Sequence, residues 1–176
     1  MRSRTEPSGD TIVRAATAAD LAAIVAIYNE GIRGRGATFE TRERTVADIT
    51  PWLEQATRPT IVIEEHSRVI GWARAGEYRA REAYAGIGDF SVYVAGDARG
   101  RRAGDRLLAA LITECEQLGY WKLLSRIFPE NAASRKLCMR HGFREVGVYE
   151  RHGRLDGVWR DVVIVERLLG DAQSAS

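Results

Sequence analysis

Val92–Ile112 reads VYVAGDARGRRAGDRLLAALI. Its first residues, Val92, Tyr93 and Val94, are β-formers and end a strand that starts at Asp89. A loop rich in glycine and arginine follows. Leu107, Leu108, Leu111, Ile112 and Cys115 then recur on one face of a helix, which Leu118-Gly119 closes. The order strand, loop, helix has a chemical consequence. The first backbone N–H groups of a helix lack intrahelical partners, and the helix dipole is positive there. Such a terminus suits a pyrophosphate. Gly100 and Gly104 allow close approach of the backbone, and Arg99, Arg101, Arg102 and Arg106 bring charge for phosphate oxygens. A solvated basic helix start has the same local pattern, so the loop alone leaves both readings open.

Outward from this loop the chain alternates strands and helices. Thr11–Ala15 reads as a first strand. Thr17 is a helix cap, with Asp20 in the first turn and Leu21, Ile24, Val25, Tyr28 and Ile32 at helical spacing up to Gly34–Gly36. Thr45 or Asp48 opens a short second helix carrying Trp52 and Leu53. Thr60–Glu64 and Val69–Ala75 form a hairpin about His66–Arg68. Beyond the central helix, Lys122–Ile127 is a strand. Asn131 caps a helix that Gly142 stops, and Phe143–Tyr149 and Val158–Leu169 close the sheet. The pattern predicts one mixed α/β domain over residues 11–169, with loose tails at 1–10 and 170–176.

Composition narrows the function. With 176 residues, 45% apolar and 28% charged, the chain is an ordinary globular length and make-up. A net charge of +2 excludes a strongly basic nucleic-acid binder by bulk charge. Cys115 and Cys138 are the only cysteines, so neither a disulfide scaffold nor a zinc cluster is expected, and the reduced cytoplasm is the expected compartment. No apolar run approaches the ~18 residues of a membrane span, and no signal peptide is expected at the polar start. His66, His141 and His152 form no metal-ligand spacing, and no metal is expected.

Arg99 to Gly104 resembles the acyl-CoA signature of GNAT acetyltransferases: Arg or Gln, two residues, Gly, one residue, then Gly or Ala. Arg99 takes the first place and Gly104 the last, while Arg102 stands where the family has its first glycine. Asn131-Ala132-Ala133-Ser134 followed by Gly142-Phe143 resembles the family's second block, and Ile12–Ala16 with Asp20 its opening. Within the family the chain is similar to phosphinothricin and arsinothricin acetyltransferases and their amino-acid-acetylating relatives. That likeness rests on Ile27-Tyr28-Asn29, Thr38-Phe39-Glu40, Gly71-Trp72-Ala73 with Gly76, Arg81 with Ala83-Tyr84, Ser91–Val94 and Gly157–Asp161.

The resemblance implies a single domain whose central, mostly antiparallel and strongly twisted sheet is flanked by helices. It implies acetyl-CoA as co-substrate, held by Val92, Tyr93, Val94, Arg99, Gly100, Arg101, Arg102, Ala103, Gly104 and Asp105, with Asn131 and Ser134 along the rest of the cofactor. It implies a small-molecule amine acceptor near Phe39, Trp72, Arg79, Arg81, Tyr84 and Trp159, and a homodimer. Neither nucleic acid nor membrane is expected as a partner. The subfamily places a glutamate as general base before the Ser-Val-Tyr-Val strand, and Asp89 stands there. Where the family has a proton-donating Tyr or His, Cys138 stands; a small buried residue is the alternative role. Arg79 and Arg81 lie two apart, so in extended chain they project together and suit a carboxylate, phosphinate or arsinate. The expected acceptor is therefore an anionic amino acid such as phosphinothricin, arsinothricin or methionine sulfoximine, whose acetylation detoxifies it. Arg102 and Cys138 also admit a GNAT-like acyl-CoA sensor without turnover. A protein N-terminus or an aminoglycoside is the remaining alternative acceptor.

Overall fold

Strand β1 (Thr11–Ala15) leads through a 3-10 turn, Ala18–Asp20, into α1 (Leu21–Arg33). The short α2 (Val46–Ile49) continues as a 3-10 turn, Thr50–Glu54. Strands β2 (Thr60–Glu65), β3 (Arg68–Glu77) and β4 (Ile87–Val94) precede α3 (Ala103–Gln117). Then come β5 (Lys122–Ile127), α4 (Ala132–Arg140), β6 (Arg144–Leu155) and β7 (Val158–Leu168). The computed structural model describes residues 11–174. The tail expected at 1–10 and positions 175 and 176 lie outside the described residues; Gly170–Gln173 form a 3-10 turn.

Local signals act where the side chains dictate. Thr17 and Asp20 make a reciprocal capping box ahead of α1, and Thr45 and Asp48 make another at α2. Asn131 accepts the Ser134 N–H at the start of α4. One strand differs from expectation. Polar Glu150-Arg151-His152-Gly153 reads as a turn, yet β6 runs through it to Leu155, and the chain reverses at Asp156-Gly157 (φ 48° and 81°). A register shift between Tyr149 and Gly153 absorbs the extra residues while pairing with β7 resumes at Gly153↔Arg160.

The sheet order is β1-β2-β3-β4-β5-β7-β6, and every neighbouring pair is antiparallel except β4–β5. The pairs Trp72↔Tyr93 and Arg74↔Ser91 place these residues and Asp89 on one face, beneath α1 and α2. Val92, Val94 and Phe90 lie on the other, beneath α3 and α4. There Leu107, Leu108 and Leu111 of α3 are fully buried. Gly31 sits inside α1, where glycine costs about 1 kcal/mol relative to alanine. The Tyr93 ring lies 2.7 Å from where a Cβ would be, so the glycine lets α1 settle on β4.

Candidate active site

Strands β4 and β5 pair only over Ile87↔Lys122, Gly88↔Leu123 and Asp89↔Leu124. Beyond those pairs β4 stays on β3 and β5 stays on β7, so the sheet splits. Phe90, the first residue past the split, packs on Phe143 at 4.9 Å between ring centroids. The Ala95 N–H donates to Ile70 O, so by alternation Tyr93 and Ser91 turn their amides to β3. Val92 and Val94 turn theirs toward the opening. Arg99 Nε donates to Val94 O at 3.4 Å, in keeping with that orientation.

Two clefts meet at this split. The first, of about 950 Å³, runs along the loop that opens α3. Val94, Arg99, Gly100, Arg102, Ala103, Gly104, Asp105, Asn131 and Ser134 line it, with Lys136 from α4. Gly100 has φ 76°, and Arg102, at the α3 N-cap, also has a left-handed backbone (φ 64°). The first intrahelical acceptor of α3 is Arg102 O, taken by Arg106 N–H, so the amides of Ala103, Gly104 and Asp105 are free for an anion. Cations and open amides together fit a pyrophosphate. Arg101 and Arg106 are turned elsewhere: Arg101 pairs with Glu65 at 2.9 Å, and Arg106 donates to Thr11 O. Asp105 is held by Arg140 in a two-point bond at 3.0 Å and meets His141 Nε2 at 3.2 Å. The Arg140 hydrogen bonds keep its carboxyl below the usual range, and the group ties α3 to α4.

The second cleft, about 620 Å³, lies on the α1 side. It shares Val92, Tyr93, Asn131 and Ser134 with the first. Its wall is aromatic. Tyr93 stacks on Trp72 at 4.8 Å and meets Tyr28 at 5.0 Å, while Trp52 lies 5.4 Å from Trp72. Burial raises the Tyr28 and Tyr93 hydroxyl pKa values, so both stay neutral. Phe39 enters from the α1–α2 loop and meets Phe128 edge-on at 5.0 Å. Asp89 lines the cleft and accepts from Arg126 Nη2 through Oδ2. Cys138 lines it too, 2% exposed, and burial pushes its thiol up to about 12, so it is a neutral thiol at physiological pH.

The other acceptor residues expected from sequence are dispersed. Arg79, Arg81 and Tyr84 line a third cleft, of about 670 Å³, which adjoins the second at Gly76 and Glu77. Trp159 stands 54% exposed on β7, under the Arg154 guanidinium, and lines none of the three clefts. Two cleft residues are not among those expected from sequence: Arg126 sits in the strand run LLSRI, and Arg74 in RVIGWARAGE. Strand alternation alone could have put Arg74 beside Trp72.

A split mixed sheet with open helix-terminus amides and cations at the split suits an acyl-CoA-dependent acyltransferase, and the chain belongs to the acetyltransferase (GNAT) family, whose model matches residues 22–143. It is an acetyltransferase, with acetyl-CoA as donor. Over 163 residues it is 34% identical to a phosphinothricin N-acetyltransferase of Streptomyces coelicolor, covering 89% of this chain and 95% of that one. It is 32% identical over 167 residues to an L-methionine sulfoximine/L-methionine sulfone acetyltransferase of Pseudomonas paraeruginosa, covering 93% and 97%. A solved structure of a GNAT superfamily phosphinothricin acetyltransferase from Sinorhizobium meliloti, in complex with AcCoA, superimposes with a TM-score of 0.87 at 30% identity, covering 94% and 92%.

Proposed function

We propose that this acetyltransferase acetylates the amine of a small anionic amino acid or analogue of the phosphinothricin or methionine sulfoximine type, in the cytoplasm and as a homodimer. The observation that carries the reading is the meeting of the two clefts at Val92–Tyr93. A thioester entering from the loop side meets an amine arriving along the aromatic side. Acetyl-CoA supplies an activated acyl group; the protein must orient the amine, remove its proton and stabilise the oxyanion.

The residues divide these tasks. The amides of Val92 and Val94 point into the split and suit an oxyanion. Asp89 Oδ2 is held by Arg126, which leaves Oδ1 to take the amine proton directly or through a water. Cys138 serves as cleft wall, its thiol too weak an acid to be a ready proton donor to a thiolate. Arg79 and Arg81, in the adjoining cleft, draw an anionic acceptor toward Asp89 by charge.

Thiol release from acetyl-CoA, followed with a panel of amines, tests the reading. Phosphinothricin and methionine sulfoximine are expected to outperform an aminoglycoside and a peptide N-terminus in kcat/KM. A preference for cationic polyamines would refute the acceptor class, and an absence of turnover with every amine would favour a sensor. In the same assay Asp89→Asn lowers kcat about a hundredfold or more with acetyl-CoA affinity retained. Light scattering at micromolar concentration decides the homodimer.

A further inference from the structure

Arg74 is a buried cation whose protein partners are all neutral. Its Nη1 donates to Trp52 O at 3.3 Å, Arg58 O at 3.2 Å and Thr60 Oγ1 at 2.7 Å, and its Nη2 donates to Gln55 Oε1 at 2.5 Å. Its Cζ lies 5.0 Å over the Trp52 ring. The residue is 8% exposed, and among the described residues no carboxylate lies in ion-pair range of it. Arg58 beside it is another cation, already paired with Glu77 at 2.5 Å. Burial first, then Arg58, draws the Arg74 pKa down to about 10, so it remains charged at neutral pH. Buried charges are as a rule paired, because an unpaired one forfeits its hydration.

A second observation lies two residues away. Among the described residues, Trp72 Nε1 is the one buried side-chain polar atom with no hydrogen-bond partner. Trp72 and Arg74 share a face of β3, both line the aromatic cleft, and Trp52 touches both. The indole N–H is a buried donor and the guanidinium a buried cation, neither with its complement in the protein, and the two have a common complement. An oxyanion satisfies both, whereas an amine or a hydrocarbon satisfies neither.

We propose that Arg74 and the Trp72 indole N–H form an anion subsite in the aromatic cleft, which receives the acidic group of the acceptor remote from its reacting amine. This rests on the acetyltransferase reading and deepens it by naming what distinguishes the acceptors. The remoteness follows from topology. Asp89 is on β4, whereas the Arg74 head group sits among Thr60 of β2 and the 52–58 turn, with β3 between. Two strand spacings separate the two ends by about 10 Å. The fitting acceptor carries its amine at one end and a carboxylate, phosphinate or arsinate several bonds away. An amino acid with a neutral side chain leaves Arg74 unmatched.

The test compares two acceptors that share an α-carboxylate. Phosphinothricin has an anionic side chain; methionine sulfone has a neutral one. Arg74→Gln is expected to raise the KM for phosphinothricin about 10- to 100-fold, the loss of a charged hydrogen bond, and to change that for methionine sulfone by less than about threefold. The KM for acetyl-CoA stays as in the wild type, and Arg74→Lys recovers part of the loss. Equal losses for both acceptors mean that Arg74 only braces the 52–58 turn, and no loss for either means that it touches no acceptor; each overturns the proposal. Should Arg74→Gln fail to fold, the Trp72 indole N–H resonance of the wild type decides. Titration with phosphinothricin should shift it and methionine sulfone should not; identical responses reject the subsite. That titration needs no turnover. A wild type that binds phosphinothricin at Trp72 without acetylating it would sink the proposed function and leave the subsite standing.

Discussion

Arg102 holds a left-handed backbone (φ 64°, ψ 13°) at the start of α3, where the family pattern has glycine. For a residue with a Cβ this conformation costs about 1–2 kcal/mol. Arg102 also lines the loop cleft, so the strained position places a cation at that cleft. Arg102→Gly is therefore expected to raise the melting temperature by about 2–4 °C and to weaken acetyl-CoA binding about tenfold. Thermal denaturation and calorimetric titration of one variant check both signs. Asp20 gives a second residue-scale prediction. The Arg14 guanidinium, at 2.7 and 2.9 Å, holds its buried carboxyl at about 2, with help from the Thr17 N–H and hydroxyl. A depressed folded pKa adds stability that is complete above the ordinary carboxylate value and is lost as pH falls toward 2. Between pH 5 and pH 2 the wild type should lose about 2 kcal/mol more than Asp20→Asn, measured by urea denaturation.

Between elements, the α1–α2 loop is the piece that joins both clefts. The Asn29 side chain clamps the Arg44 backbone at 2.7 and 2.9 Å, and Asn131 reaches Gly36 O at 3.3 Å. Phe39 in the middle rests on Gly153 of β6, where an added Cβ would lie 2.7 Å from the ring. Gly153→Val should push Phe39 off Phe128, destabilise the fold by about 1–3 kcal/mol and raise the acceptor KM. Gly147→Ala, on the same strand with open space around it, is the matched control and should leave both unchanged. Steady-state kinetics and melting curves for the pair decide whether β6 supports the loop. An acceptor KM equal in the two variants removes that role.

For the molecule as a whole, the cofactor should act as a staple between the two halves of the split sheet. Val92 and Val94 belong to one half, and α4, with Asn131 and Ser134, follows the other. A ligand bound only to the folded state adds about 2.7 kcal/mol at a hundred times its Kd, here about 5–10 °C in melting temperature. Differential scanning fluorimetry with acetyl-CoA measures it, and no shift at saturation would contradict binding in this cleft.

Local sequence by itself determined the elements with clear periodicity, together with the glycine- and arginine-rich loop between strand and helix. The α3 leucines, the caps at Thr17, Thr45 and Asn131, and the order strand, loop, helix at Val92–Ile112 are all written in neighbouring residues. The tertiary structure alone decided which side chains converge. Asp89 and Arg126 meet because β4 and β5 pair over three residues and then part. Arg101 faces Glu65, Trp159 faces solvent, and Arg79 with Arg81 occupies a neighbouring cleft, since each direction depends on partners distant in the chain. A polar run such as Glu150–Gly153 carries turn-like composition, and only its pairing with β7 makes it strand. Periodicity reports which face of an element is buried; the residues that cover that face come from elsewhere in the chain, and their choice rests on long-range packing.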